Sequence, residues 1–206
     1  MRALHDRLVR SGSVRFDEFV EAALYDDDGG FFATGGGAGR AGADFVTSPD
    51  VGPLFGAVVA RYLDSCWEEL GHPDPFVVVE AAAGRGALAI AVLAASPRCA
   101  PALRYVMVER SASLRERQRE HLVVVEPFEV LGPELDLDAD DGVPLGIGAG
   151  PLVTSLAELP AVRCDGVLVA NELLDNVPFR LLERTDDGWA EVFVALEGRS
   201  TSGSVD

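Results

Sequence analysis

Glu80, Gly84, Gly86 and Glu109 have the residue types and the spacing from which a small-molecule site can be built. The segment Val79-Glu80-Ala81-Ala82-Ala83-Gly84-Arg85-Gly86-Ala87-Leu88 joins an apolar run to a helix-forming one, as a nucleotide-binding turn does. Glycines at 84 and 86 let the backbone approach a ligand closely, and the helix N-terminus that follows offers N–H groups to a carboxylate or phosphate. Glu109 ends the next apolar run and is placed to accept hydrogen bonds from ribose hydroxyls. Asn171-Glu172-Leu173-Leu174-Asp175-Asn176-Val177-Pro178 supplies a further polar cluster, again directly after an apolar run. Each piece alone has a plainer reading. A lone Gly-x-Gly serves many tight turns, the 171–178 segment reads equally as a helix cap and a proline-ended turn, and Thr47-Ser48-Pro49-Asp50 reads as capping.

Strands and helices in alternation are needed to hold these residues together. Residues 76–80 form a short apolar run closed by an acid, the pattern of a strand buried on both faces. Residues 87–93 predict a strongly buried helix, 103–109 a second strand, 124–131 a third and 166–170 another buried strand. Ser113 and Glu116 make a capping box for an arginine-rich helix ending near Leu122. Upstream, 16–25 has amphipathic helical spacing and 29–42 is a glycine-rich loop. Ser48 caps, and Pro49 begins, a long helix with two adjoining apolar stripes. One holds Leu54, Val58, Tyr62, Cys66 and Leu70; the other holds Phe55, Val59, Leu63 and Trp67, so the helix is expected to pack against something large. Residues 132–150 read as an acidic surface loop, and 197–206 as a disordered tail. Residues 179–184 and 189–196 flank Asp186-Asp187-Gly188, a strong hairpin signal.

This order is that of a doubly wound α/β sheet, whose ligands bind at the carboxyl ends of the strands. Those ends carry 80–86, Glu109, and Asn171 with Glu172. The expected division is a helical segment with its glycine-rich loop at 1–70, a Rossmann-like core at 71–178, and a hairpin with tail at 179–206.

Charge narrows the function further. The 206 residues carry a formal charge of −17, and all their basic side chains besides histidine are arginines. Such acidity repels phosphate backbones, which argues against nucleic acid and favours a basic partner, although solubility alone would also account for it. Cys66, Cys99 and Cys164 are odd in number, far apart and set in apolar context, as buried thiols of a reducing compartment would be. His5, His72 and His121 are isolated, so no metal site is expected. The N-terminal residues lack the apolar stretch of a signal peptide, and no apolar run is long enough to span a bilayer. A cytoplasmic protein without membrane association is the expectation.

Taken together, GADFVTSPDVGPLFG, VVVEAAAGRGALAIAVL, YVMVERSASLRERQ, VLVANELLDNVPFRLLE and GWAEVFV resemble, in order, the MidA family of S-adenosylmethionine-dependent methyltransferases. The resemblance runs from about Phe16 to Leu196. It implies a class I methyltransferase sheet with S-adenosylmethionine as cofactor, held by Asp44, Thr47, Ser48, Glu80, Gly84, Gly86, Glu109 and Asn171. It also implies a protein substrate methylated at arginine, such as a respiratory-complex subunit, since the family includes a complex I assembly factor of that activity. Glu172 and Asp175 would then hold the guanidinium by charge-assisted hydrogen bonds. Two departures stand out. Ala82-Ala83-Gly84-Arg85-Gly86 replaces the family's Gly-Pro-Gly-Arg-Gly, so a positive φ at position 82 would be strained. Family members also continue past the hairpin, so a shortened member is expected. These departures keep open a non-catalytic assembly factor on the same fold; a nicotinamide-dependent enzyme would need a tighter Gly-x-Gly-x-x-Gly.

Overall fold

The computed structural model describes residues 2–34, 48–132, 148–161 and 163–196. In chain order its elements begin with α1 (Arg2–Ser11), β1 (Ser13–Arg15), α2 (Phe16–Tyr25), α3 (Ser48–Val51) and α4 (Pro53–Glu69). Next come β2 (Phe76–Ala81), α5 (Ala87–Ala94), β3 (Leu103–Val108), α6 (Ala112–Gln118), α7 (Pro127–Leu131), β4 (Leu152–Leu156) and β5 (Gly166–Ala170). A 3-10 turn at Leu173–Asn176 precedes β6 (Leu182–Thr185), β7 (Gly188–Glu191) and β8 (Phe193–Ala195). Two compact units result: Gly37–Leu173, and Met1–Gly36 with Leu174–Asp206.

The larger unit is a four-stranded parallel sheet in the order β4-β3-β2-β5. From β2 the chain steps outward to β3 and β4, then crosses back to lay β5 on the other side of β2. The strand order therefore reverses between β2 and β5, where α/β folds open a ligand crevice. Alternation places Phe76 and Val78 of β2, Leu103, Tyr105 and Met107 of β3, and Val153 of β4 in one cluster with α4 and α5. Val77, Val106 and Val108 face the other way, against Val130 of α7. Each such buried aliphatic or aromatic side chain contributes about 1.5–3 kcal/mol. α4, placed by sequence in the segment 1–70, belongs to this layer through Ala60 and Leu63. Its approach to α5 depends on Gly56, where a Cβ would lie 2.3 Å from Ala91 Cβ.

The smaller unit has its own core of Leu4, Leu8 and Val14, with Phe19, Ala22 and Val194 packed on it. β1 pairs antiparallel with β8, and β6 with β7 across the Asp186-Asp187 turn. The helix at 16–25 and the hairpin turn follow the sequence reading, but the expected arm 189–196 is broken at Val192 into β7 and β8, and β8 pairs with β1.

Several expectations are corrected. Residues 124–131 form no strand: Pro127 cannot donate to a sheet ladder but suits the first turn of α7, where Glu129 accepts the Glu126 N–H at 3.1 Å. The third strand of the sheet is β4, an edge strand whose Leu-Val-Thr-Ser-Leu pattern carries little periodicity. The long helix starts at Pro53, because the extended Gly52 separates it from α3, so Ser48 lies inside a helical turn. The cap of α6 is Ser111, accepting from Leu114, and not Ser113. On α4 the Phe55, Val59, Leu63 and Trp67 stripe packs; of the other stripe Cys66 packs as well, while Leu54, Val58, Tyr62 and Leu70 are exposed. Of the cysteines, Cys99 is buried, Cys66 half-buried and Cys164 exposed. The glycine-rich loop, the acidic loop and the tail lie mostly or wholly outside the described residues. No described helix is long and apolar enough to cross a membrane.

Candidate functional site

β2 delivers Glu80 to the carboxyl edge of the sheet, level with Met107 of β3 and Val169 of β5. Its side chain is buried, and its Oε2 accepts the Tyr105 hydroxyl at 2.8 Å. Burial drives the Glu80 carboxyl up to about 7; the Tyr105 hydrogen bond opposes this and the neighbouring Glu109 charge adds to it. The same burial, with Glu80 alongside, pushes the Tyr105 phenol well above its usual range. A buried carboxyl close to neutrality is a cation acceptor held ready in an otherwise apolar wall.

The chain then turns sharply. Ala82 has φ 59°, Gly84 56° and Gly86 83°, and Gly86 N–H closes the turn on Ala83 O at 2.9 Å. At Gly84 an added Cβ would meet nothing within 4 Å among the described residues, so among these the turn borders open space beside the N-terminus of α5. Ala82 is the costly member, since an L side chain in this region is strained by about 1–2 kcal/mol. Across the crevice Glu172, two residues past β5, is also in the left-handed region at φ 56°. Strained non-glycine residues thus occur at the ends of both strands that flank the switch point.

Glu109 follows β3 and is buried. Its Oε2 accepts the Gly84 N–H at 2.9 Å and its Oε1 the Ser111 N–H at 2.7 Å. Desolvation holds its carboxyl above the usual carboxylate range, against the opposing pull of those two amides and of Arg115. Glu80, Gly84, Gly86 and Glu109 are therefore gathered at one edge of the sheet. Asn171, half-buried, and Glu172, exposed, lie at the adjoining end of β5. Ser48 is exposed on α3, which packs against α5, the helix opened by the glycine turn. Asp175 is exposed in the 3-10 turn and belongs to the smaller unit, while Asp44 and Thr47 lie outside the described residues.

Three further residues join this site without a sequence expectation behind them. Tyr105 sits on the same strand face as Glu109, an alternation that its strand pattern carries. Gln118 is fully buried between Leu114 and Leu122, so a polar amide on an inward i, i+4 stripe is the signal that marks it. Ser155 has no such signal, because β4 itself is weakly patterned.

Known proteins resemble this chain over most of its length. A family model described as "Putative S-adenosyl-L-methionine-dependent methyltransferase" matches residues 58–205. The chain is 26% identical over 196 residues to the Drosophila melanogaster mitochondrial protein arginine methyltransferase NDUFAF7 homolog, covering 94% of this chain and 44% of that protein. It is 26% identical over 211 residues to mitochondrial protein arginine methyltransferase NDUFAF7 of Danio rerio, covering 96% and 47%. A crystal structure of a Burkholderia thailandensis protein bound to S-adenosyl-homocysteine superposes with a TM-score of 0.67 at 31% identity, over 94% of this chain and 45% of that one. The chain thus spans a little under half the length of the relatives it matches.

Proposed function

This chain belongs to the MidA family of S-adenosylmethionine-dependent methyltransferases, and from that membership we propose that it binds S-adenosylmethionine at the carboxyl ends of β2 and β3 and serves methyl transfer to an arginine of a protein. The observation that carries the reading is the positive-φ turn at 82–86, set between the buried acids Glu80 and Glu109 with open space over Gly84. That cradle fits the cofactor's chemistry: a backbone turn and helix N-terminus for its carboxylate, an acid for its cationic groups, and an acid for its ribose.

When bound, S-adenosylmethionine supplies a methyl group already activated on a sulfonium, the electrons of the broken C–S bond remaining on sulfur. The chain's residues then have to bind, align and exclude water. Gly84 and Gly86 would allow the close approach, and the α5 N-terminus would receive the carboxylate. Glu80 would oppose the positive charge and Glu109 would accept from the ribose hydroxyls. Asn171, Ser48, Asp44 and Thr47 complete the proposed cofactor contacts. Glu172 would hold the acceptor guanidinium by charge-assisted hydrogen bonds, orient its nitrogen lone pair, and take the proton lost as the C–N bond forms; a like role for Asp175 is proposed on the sequence resemblance alone. The arginine assignment is supported by the names of the relatives at about a quarter identity.

The test is calorimetric titration with S-adenosylmethionine and S-adenosylhomocysteine, followed by labelled-methyl incorporation into lysate proteins at saturating cofactor. Binding with incorporation that maps to arginine is expected; binding with incorporation only at other residues would overturn the arginine assignment. One observation favours a second reading, a non-catalytic module on the same fold: the Ala82 methyl at φ 59° stands on a turn that should lie against the cofactor. Absence of heat with either compound would decide for it.

A further inference from the structure

Gly84 is the open apex of the turn, and its own backbone does not fix it. Its N–H donates to Glu109 Oε2 at 2.9 Å, and its carbonyl accepts from Gln118 Nε2 at 2.7 Å. Gln118 ends α6 and is fully buried, and its Oε1 accepts the Ser155 hydroxyl of β4 at 2.6 Å. The three bonds tie the turn after β2 to the end of β3, to α6 and to β4. A buried amide with one end on a carbonyl and the other on a hydroxyl is fixed in orientation, because only its NH₂ can serve the carbonyl.

We propose that Gln118, steadied by Ser155, is a positioning residue for the cofactor: it sets the plane of the Gly84–Arg85 peptide. The inference rests on the proposal above that this turn holds the cofactor. A trans peptide directs its C=O and N–H in opposite senses. With the Gly84 carbonyl drawn inward to Gln118, the Arg85 N–H points the other way, outward from the turn. Glycine at φ 56° has little intrinsic preference for that peptide orientation, so the side-chain bond has to impose it. Glu109 and Gln118 then act on the two sides of one residue, the acid on its N–H and the amide on its C=O.

The test compares S-adenosylhomocysteine affinity of the full chain with that of Gln118→Met, Gln118→Glu and Glu109→Ala, at about pH 6 and about pH 9, each as a ratio to wild type at the same pH. Methionine keeps the volume and removes both hydrogen bonds. A protonated glutamic acid can donate to the Gly84 carbonyl and accept from Ser155, whereas a glutamate cannot donate. Gln118→Met should bind about tenfold more weakly at both pH values. Gln118→Glu should be comparably weak at the higher pH and recover to within about threefold of wild type at the lower one. Urea midpoints of the same proteins at the two pH values separate this from a purely structural role: an affinity deficit that only follows lost stability would overturn the inference. Wild-type affinity in both Gln118 variants, or a Gln118→Glu deficit equal at the two pH values, would overturn the inference while leaving the cofactor site in place. If Gln118→Met does not fold, the Gln118→Glu ratio decides alone. Failure of the wild type to bind, or undiminished binding by Glu109→Ala, would instead remove the cofactor site and this inference with it.

Discussion

Ala82 and Glu80 lie two residues apart, and each carries a local cost that has a measurable signature. Ala82 holds φ 59°, where glycine is at ease and alanine is not. Ala82→Gly relieves about 1–2 kcal/mol of strain but gives back about 0.5–1 kcal/mol through the greater freedom of the unfolded chain. The expected net is a gain of about 0.5–1 kcal/mol in a urea melt, with severalfold tighter S-adenosylhomocysteine binding as the methyl leaves the cradle. A loss of stability would mean that the backbone at 82 is not strained. Glu80 gives a pH signature instead. Its carboxyl titrates at about 7 in the fold, with burial the first cause, against the ordinary 4.5. Between those values the folded chain binds more protons than the unfolded one. Its contribution to stability is therefore full below about pH 4.5 and is lost as pH rises through about 7, by on the order of 3 kcal/mol. Glu80→Gln should flatten that part of the profile, read as urea midpoints at pH 5 and pH 8 for both proteins. Parallel profiles would show that Glu80 is solvated. Cofactor charge facing Glu80 would favour the carboxylate, so binding near neutral pH should release a proton, and Glu80→Gln should abolish the release.

At the scale of elements, the α4–α5 contact is a close helix approach beside the turn. A Cβ on Gly56 would fall 2.3 Å from Ala91 Cβ and 2.7 Å from the Ala91 carbonyl carbon, inside any real contact distance. Gly56→Ala should therefore cost about 1–3 kcal/mol by forcing the helices apart, despite alanine's better helix propensity. The denaturation midpoint checks this; an unchanged or higher midpoint would place the two helices further apart. Where the sequence is legible, it is because one force dominates an element. β2, α2 and α5 each carry an unbroken or periodic apolar pattern, and β3 does so apart from Arg104. The apolar run of β5 marks a strand too, but an edge strand with Leu168 exposed and not the buried one its pattern predicts. The acids at the strand ends are legible for the same reason, since they mark where apolar runs stop. β4 and α7 are not, because Leu152–Leu156 mixes polar and apolar residues at an edge and Glu126-Pro127 breaks what otherwise reads as a strand. The Gln118 and Ser155 bonds are long-range, at sequence separations of 34 and 37, and no local pattern encodes them.

For the molecule as a whole, charge is the property most relevant to a partner. Acidic residues number 34 against 17 basic ones, giving −17 at neutral pH. A field of that sign raises the local concentration of cationic peptides and lowers that of nucleic acid. Because the Debye length is only about 8 Å at physiological ionic strength, long-range attraction should weaken steeply with salt, while contacts made at close range should not. An arginine-rich peptide titrated against the chain, followed by fluorescence anisotropy, is expected to bind more tightly at about 20 mM than at about 300 mM salt. A neutral peptide of equal length and a DNA duplex should show no such binding. Glu172→Gln, at an exposed position proposed to meet the guanidinium, should weaken the arginine peptide at both salt concentrations, because it removes a near contact as well as a charge. Equal binding of neutral and arginine peptides would reduce the acidity to a matter of solubility. A Glu172→Gln effect that vanishes at the higher salt would assign Glu172 to the general field and not to the acceptor site.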